Sequence, residues 1–347
     1  MRKIFEAEEQ STEKDKITIG PETTKKVKDM LGMPYEEFMK NLTGKEAPSG
    51  GESVADVDVK VKSILNLGLK DLKKDDEIIP VSTKKLNVKV LQPTQSQIGL
   101  NDSIGYLAFV QPENAKASLS GASDFGGAMI LTANGKYILD GHHRWSQVYL
   151  LNPDATIPAL DLTLNVKDEK EMLKVIQLAI AATYKKILMK AADAPTDIFS
   201  DEKAGANCEK IPEMLKNIFA GKYGMPKDGN PENVTKFKEI LKESWDTDED
   251  GVIAKLTEHA KEVKAKRPED APQRAIMPQP SDTAKATGNP PDDGLGKMHK
   301  AFIDKLKSGT LNFKDPITQQ DAFEKKPVKA QESKKWIMTY EQFKSKK

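Results

Sequence analysis

The segment that most constrains the fold is residues 137–145, YILDGHHRW, which follows the dipeptide Asn134-Gly135. Asn-Gly is the preferred pair for a two-residue turn between antiparallel strands, because both residues tolerate positive φ angles. Apolar residues lie on both sides of that dipeptide. The pattern therefore predicts a β-hairpin whose second strand ends near Gly141, with a helix following as far as Leu151.

Strand and helix patterns alternate on either side of this hairpin. A period of two predicts strands at 86–91 and 157–164, and a period near 3.6 predicts a long helix over 166–192. Mixed strands and helices of this kind indicate an α+β fold. Helical patterns without strands precede and follow this unit, so we expect helical N- and C-terminal extensions.

Composition divides the chain further. Hydrophobic residues make up 37% and charged residues 31% of the 347 residues, and the mean hydropathy is −0.58. Such values indicate that part of the length is solvated helix or linker. We predict a helical arm and linker at 1–53, the α+β domain at 54–192, a helical region at 193–267, and a proline-rich linker, short helix and tail at 268–347.

Charge and cysteine content narrow the classes of function. The 54 Lys and Arg are interleaved with 53 Asp and Glu, which does not favour nucleic acid as a partner. Cys208 is the single cysteine, so no internal disulfide forms and a reducing, cytoplasmic setting is expected. No apolar run approaches the roughly 20 residues that span a bilayer, so we expect no membrane association.

The strongest chemical signal is residues 140–144, DGHHR, which we call the DGHHR motif. A helix start offers unpaired N–H groups and the positive end of its dipole. Placing His142, His143 and Arg144 there is unfavourable unless an anion balances them. Gly141 would let the ligand approach the backbone, Arg144 would grip two oxygens, and Asp140 would hold Mg²⁺ or orient an imidazole. The ordinary alternative is a set of polar residues at the end of a surface helix.

The motif also carries a resemblance. Residues 138–144, ILDGHHR, the helix after them and the strand led by Ile157-Pro158 resemble the ParB/sulfiredoxin-like superfamily, especially the nucleotide-binding domain shared with ADP-dependent free-serine kinases. Residues 91–95, LQPTQ, are similar to the first box of that family. The resemblance covers about residues 84–165. It implies a small mixed sheet with helices and a nucleotide ligand, ATP, ADP or CTP, accompanied by Mg²⁺.

The resemblance also assigns roles to residues. Asp140 and His143 become the candidate catalytic residues, with Asp140 beside the metal. Those expected to bind the nucleotide and its phosphates are Thr94, Gln95, Gly141, His142, His143 and Arg144.

Departures from the family limit which reaction can follow. The reactive cysteine of sulfiredoxins is replaced by His142, and the glutamate base of the serine kinases by Gln95, whose amide cannot accept a proton near neutral pH. No recognition helix of the ParB kind follows Ala192. Nucleotide binding remains, with nucleotide hydrolysis or phosphoryl transfer as the reaction classes to test.

A second motif has the spacing of a calcium loop. Asp246, Asp248 and Asp250 occupy positions 1, 3 and 5 of an EF-hand pattern, and a glycine occupies position 6. Position 12 is Thr257, where a bidentate carboxylate belongs. The alternative is that these carboxylates cap a helix beginning near Ile253.

Two functions of other classes remain open. The helical arms and the aromatic residues within 336–343 would suit a structural, cargo or interaction protein, encoded by a phage and located in the host cytoplasm or the virion. A ParB-like nuclease would need Asp140 and a metal. Residues 124–126, DFG, match the magnesium tripeptide of protein kinases, but no other kinase motif accompanies them, so we interpret them as a loop over the pocket.

Overall fold

The computed structural model describes residues 32–46, 52–57, 79–123, 129–164, 168–190, 196–200, 210–222, 229–289 and 300–307. Several sequence predictions lie outside these residues: the first helical pattern of the N-terminal arm, the DFG tripeptide, Cys208 and the aromatic cluster at 336–343.

The described residues form six strands and ten α-helices. The strands are β1 (Glu52–Asp56), β2 (Val81–Asn87), β3 (Ile130–Ala133), β4 (Tyr137–Asp140), β5 (Thr156–Leu162) and β6 (Lys186–Lys190). The helices are α1 (Tyr35–Thr43), α2 (Tyr106–Phe109), α3 (Asn114–Leu119), α4 (His142–Leu151), α5 (Glu169–Tyr184), α6 (Ile211–Phe219), α7 (Glu232–Trp245), α8 (Glu249–Lys264), α9 (Pro280–Ala286) and α10 (Lys300–Lys307). The predicted α+β class is confirmed. None of the described helices is both long and apolar enough to cross a bilayer.

The larger sheet has four strands in the order β2-β5-β3-β4. Strands β3 and β5 are parallel, and the other two pairs are antiparallel, so the sheet is mixed. Gln92 bridges Tyr137 and extends the sheet beyond β4. A separate antiparallel pair joins β1 to β6. The segment that precedes β2 in sequence and the segment that follows β5 are thereby tied together.

Helices cover the larger sheet on both faces. Ile130 and Ile138 belong to one buried cluster, which also contains residues of α4, α7 and α8. Leu131 and Leu139, their neighbours along the strands, belong to a second cluster with α1, α5 and α10. Successive strand residues point to opposite faces of a sheet. Since both faces of this sheet are covered by helices, both alternating sets of residues are apolar. The DGHHR motif leaves the sheet at the end of β4, between these two layers.

The predicted Asn-Gly hairpin is confirmed. Asn134 and Gly135 have φ angles of 54° and 67°, as a two-residue turn of this type requires. The buried carboxylate of Asp161 accepts hydrogen bonds from the Gly135 N–H and the Thr132 hydroxyl, each at 2.8 Å. Lys84 Nζ lies 2.6 Å from the other oxygen of that carboxylate. This network fixes the turn that aims β4 at the motif.

Two sequence predictions of local structure were wrong. The helix predicted over 166–192 ends at Lys185, whose φ is 58°, and the chain continues as β6 against β1. Leu188, which lies within the predicted helix, is a buried residue of β6. The strand predicted at 86–91 also ends early, because residues 88–90 form a 3-10 turn.

The proline-rich segment, predicted as a linker, packs against the core over its described residues, which end at Asn289. We call residues 272–283 the strap; it contains a 3-10 turn, Arg274–Ile276, and the start of α9. Ala275, Ile276 and Met277 are buried. The Ile276 carbonyl accepts hydrogen bonds from Gln177 Nε2 at 2.8 Å and from the Tyr35 hydroxyl at 3.2 Å. Three successive buried residues therefore anchor a segment whose average composition is polar.

Candidate functional site

The turn between β4 and α4 requires a glycine. Gly141 has a φ of 96°, in the region that side chains rarely adopt. A Cβ atom there would lie 2.6 Å from Ile130 Cγ2. The chain therefore passes directly over the buried sheet as it enters α4, which brings the helix start close to the end of β4.

The start of α4 is left without the usual groups of a helix N-terminus. No described side chain caps it, and no acidic residue lies in its first turn. Unpaired N–H groups at a helix start are normally satisfied by a capping oxygen, by water or by a ligand. The first turn of α4 is thus available to an anion.

A cavity of about 290 Å³ lies at this helix start. One wall consists of Gln95, Asp140, Gly141, His142, His143 and Arg144. The opposing set of lining residues comes from β6 and the strap, including Lys190, Arg274, Met277 and Asp282. The structure therefore gathers the whole DGHHR motif and Gln95 around one space, together with residues more than 40 positions further along the sequence.

Three cationic side chains face this cavity. Arg144 Nη1 donates to the Met129 carbonyl at 2.5 Å. Lys190 Nζ lies 2.7 Å from Asp282 Oδ2 and 3.3 Å from Glu52 Oε1. Burial alone would lower the pKa of Lys190, but the two carboxylates raise it overall. Lys190 is therefore a cation at neutral pH.

Arg274 is the third of these cations. It forms an ion pair with a residue of a π-helical turn, Asn101–Gly105. Its Nη1 lies 3.2 Å from Asp102 Oδ2. The same carboxylate oxygen lies 3.4 Å from His143 Nε2. The strap, the π-helical turn and α4 thus meet at Asp102. Turns of this π-helical kind are frequent at functional sites.

His142 is held inside the protein by the first box. Its side chain is almost fully buried, with 4% of the residue exposed. Nε2 accepts a hydrogen bond from the Thr94 N–H at 3.1 Å, and the Thr94 hydroxyl donates to the Ile138 carbonyl at 2.6 Å. Burial, assisted by His143 and Arg274, lowers the pKa of His142 to about 3. His142 is therefore neutral, and Thr94 positions it instead of lining the cavity.

His143 is also neutral. A quarter of its side-chain surface is exposed, and within the described residues Nε2 has no hydrogen-bond partner. Asp102 would favour the charged imidazole, but burial, Arg274 and Lys190 outweigh it and lower the pKa of His143 to about 3. The motif thus presents one cation, Arg144, and two neutral imidazoles. Of the three side chains that the sequence predicts an anion to balance, only Arg144 therefore carries a charge.

Two carboxylates share the cavity with these cations. Burial raises the pKa of Asp140; Arg144 opposes this shift, and Asp282 reinforces it. The described residues contain no group of three or more His, Cys, Asp or Glu side chains placed to hold a metal ion. A Mg²⁺ ion beside Asp140 would therefore depend on oxygens of a ligand and on water, as is usual for this ion.

The acidic motif between α7 and α8 has a different geometry from a calcium loop. Asp246 follows α7 with a φ of 49°, Asp248 accepts a hydrogen bond from the Gly251 N–H at 2.9 Å, and Asp250 lies in the first turn of α8. Helix α8 begins at Glu249, so most of the twelve expected loop positions are helical. The structure favours the capping alternative, with Asp248 as the N-cap of α8 and Asp250 in its first turn.

Sequence reasoning missed four residues that shape the site: Asp102, Lys190, Arg274 and Asp282. Lys190 lies within the segment that was incorrectly predicted as a helix. Arg274 and Asp282 lie within the segment that was predicted as a linker. One usable signal exists, because Arg274 directly precedes the apolar triplet Ala275-Ile276-Met277 within an otherwise polar segment. Such a triplet indicates local burial.

Comparisons of the chain with protein-family models, with curated proteins and with solved structures gave no match. The resemblance to the ParB/sulfiredoxin-like superfamily therefore rests on the quoted motifs alone.

Proposed function

We propose that this protein binds a nucleotide through its phosphates, in a domain of the ParB/sulfiredoxin-like kind. One observation carries the proposal: the uncapped start of α4, with Gly141 and Arg144, opens into a cavity that also contains Lys190 and Arg274. Helix starts bind phosphate through backbone N–H groups and the helix dipole. Arginine adds two parallel hydrogen bonds to the oxygens of the same group.

The size and lining of the cavity suggest which part of the nucleotide it would hold. Its volume of about 290 Å³ lies at the lower end of the roughly 300–1000 Å³ typical of ligand pockets. Among the described lining residues, the only rings besides proline are the two imidazoles of the motif. The phosphates and part of the sugar would therefore occupy the cavity, and the base would lie outside it.

Binding is better supported than catalysis. A general base works best with a pKa near the working pH, whereas burial, Arg274 and Lys190 lower the pKa of His143 to about 3. A bound phosphate would raise that pKa by favouring the charged imidazole. Nucleotide hydrolysis or phosphoryl transfer would then use His143 as the proton acceptor and Asp140 beside Mg²⁺. Both steps depend on binding coming first.

Isothermal titration calorimetry with ATP, ADP and CTP tests the proposal on the full chain. Arg144→Ala should weaken binding of the preferred nucleotide by about 10- to 100-fold, the range for losing a charge-assisted hydrogen bond. Lys236→Ala is the matched control, because Lys236 of α7 forms an exposed ion pair with Glu113 and does not line the cavity. Equal heats for wild type and Arg144→Ala, or no heat with any of the three nucleotides, would refute the proposal.

A further inference from the structure

We infer that Lys190 and Arg274 form a second anion subsite, so that the cavity accepts a ligand with two adjacent phosphates. This inference rests on the proposed function and extends it. The first subsite is the start of α4 with Arg144. The second is supplied by β6 and the strap, which lie outside the part of the chain that resembles a known family.

Both cations of the second subsite retain N–H groups for a ligand. A lysine ammonium carries three N–H bonds, and the carboxylates of Asp282 and Glu52 engage Lys190 at 2.7 and 3.3 Å. A guanidinium carries five N–H bonds, and the ion pair to Asp102 at 3.2 Å uses Nη1 of Arg274. The remaining donors belong to side chains that line the cavity.

The carboxylates that now accompany these cations are exposed enough to move. Side-chain exposure is 52% for Asp282 and 44% for Asp102, compared with 27% for Lys190 and 21% for Arg274. A surface carboxylate that leaves such an ion pair regains water at little cost, because ion pairs at a protein surface contribute little to stability. An incoming phosphate can therefore replace Asp282 and Asp102 while both cations stay in place.

The strap is built to hold Arg274 in position. The carbonyl of Ile276, two residues later, accepts hydrogen bonds from Gln177 and Tyr35. Further along, the Thr283 hydroxyl accepts a hydrogen bond from the Leu188 N–H of β6 at 3.3 Å. The strap is thus attached to the core at two points that follow Arg274, and one of them is β6, the strand that carries Lys190. A subsite formed in advance loses less freedom when the ligand binds.

A single phosphate does not account for this arrangement. One phosphate at the start of α4 would be matched by Gly141 and Arg144, leaving Lys190 and Arg274 with carboxylate partners alone. A second phosphate joined to the first gives each cation an oxygen within the same cavity. Inorganic phosphate and pyrophosphate therefore distinguish one subsite from two.

Calorimetric titration of the full chain with inorganic phosphate and with pyrophosphate, at fixed pH and ionic strength and without Mg²⁺, tests the inference. Wild type should bind pyrophosphate at least about tenfold more tightly than phosphate, in keeping with an added charge-assisted contact. Lys190→Met and Arg274→Met should each remove most of that preference, because they weaken pyrophosphate binding much more than phosphate binding. Arg144→Met should weaken both ligands. Lys236→Met, the exposed control on α7, should change neither.

Conservative variants keep the test decisive if a methionine variant misfolds. Lys190→Arg and Arg274→Lys retain the charge and should keep a pyrophosphate preference of at least about threefold, with an unchanged circular dichroism spectrum. Equal wild-type affinity for the two anions, or equal weakening of both by the methionine variants, would overturn the second subsite while leaving phosphate binding at α4 intact. Failure of both anions and of all three nucleotides to bind would overturn the proposed function itself.

Discussion

Helices α4 and α8 begin in opposite ways. At the start of α8, Asp248 accepts a hydrogen bond from the Gly251 N–H, and Glu249 and Asp250 follow in the first turn. Such carboxylates satisfy the free N–H groups and the positive end of the dipole. Helix α4 begins instead with Gly141, no capping side chain and no acidic residue. One helix start is completed by its own sequence, and the other is not.

The difference shows how a helix start that can bind a ligand is distinguished from one that only stabilises the fold. A capped helix start, such as that of α8 or of α5 with its cap Asp168, gains its stability within the chain and offers little to a ligand. An uncapped start beside Arg144 lacks that stabilisation within the chain, and a bound anion would supply it. Stability and calcium measurements can show whether α4 and α8 differ in this physical sense.

The largest expected effect is the loss of stability in acid that neutral His142 causes at α4. Its pKa falls from 6.5 in the unfolded chain to about 3 in the folded protein, so the unfolded state binds more protons between these values. Stability from this group is complete above pH 6.5 and is lost as the pH falls toward about 3. At about 1.4 kcal/mol per pKa unit, the loss would approach roughly 3–5 kcal/mol.

Urea unfolding at a series of pH values measures this dependence. His142→Gln keeps an acceptor for the Thr94 N–H and removes the titrating group, so its stability should fall less steeply over the same window. An NMR titration should show the His142 imidazole neutral at pH 5. Parallel pH profiles for wild type and His142→Gln would show that His142 is not held neutral by the fold.

The hairpin and the start of α4 could be predicted from sequence because their signals are local. Asn134-Gly135 specifies its own turn, and Gly141 specifies the positive φ before α4. The second half of the cavity could not be predicted in this way. Lys185 ends α5 without a glycine, and β6 exists because β1 pairs with it; neither fact is visible in nearby residues.

The strap shows the same limit in another form. Its buried triplet is only three residues long, and its fixed position depends on hydrogen bonds from Gln177 and Tyr35, which are about 100 and 240 positions away. Composition averaged over 268–291 reflects the prolines and polar residues around that triplet. Contacts of this range are set by tertiary packing, so the apolar triplet next to Arg274 indicates local burial but not that Arg274 reaches the cavity.

The next effect in size tests the close approach of the chain at α4. Gly141→Ala should destabilise the protein by about 3 kcal/mol, because a positive φ and a contact of the new Cβ with Ile130 add together. Gly135→Ala is the matched control: its φ is also positive, at 67°, but open space surrounds the added methyl group. We expect about 1 kcal/mol there. Equal losses in urea unfolding would contradict the close approach.

The smallest effect concerns α8 and decides between a cap and a calcium ligand. Asp248→Ala should cost about 1 kcal/mol, the usual value for losing an N-cap, and Asp168→Ala at α5 should cost a similar amount. Millimolar CaCl₂ should leave the thermal midpoint of wild type unchanged, because Asp248 acts as a cap and not as a calcium ligand. Calcium bound only to the folded state would raise that midpoint. A calcium-dependent rise that disappears in Asp248→Ala, but persists in Asp168→Ala, would restore the metal site and remove the contrast between the two helix starts. Without such a rise, the start of α8 is stabilised by its own carboxylate, in contrast to the uncapped start of α4.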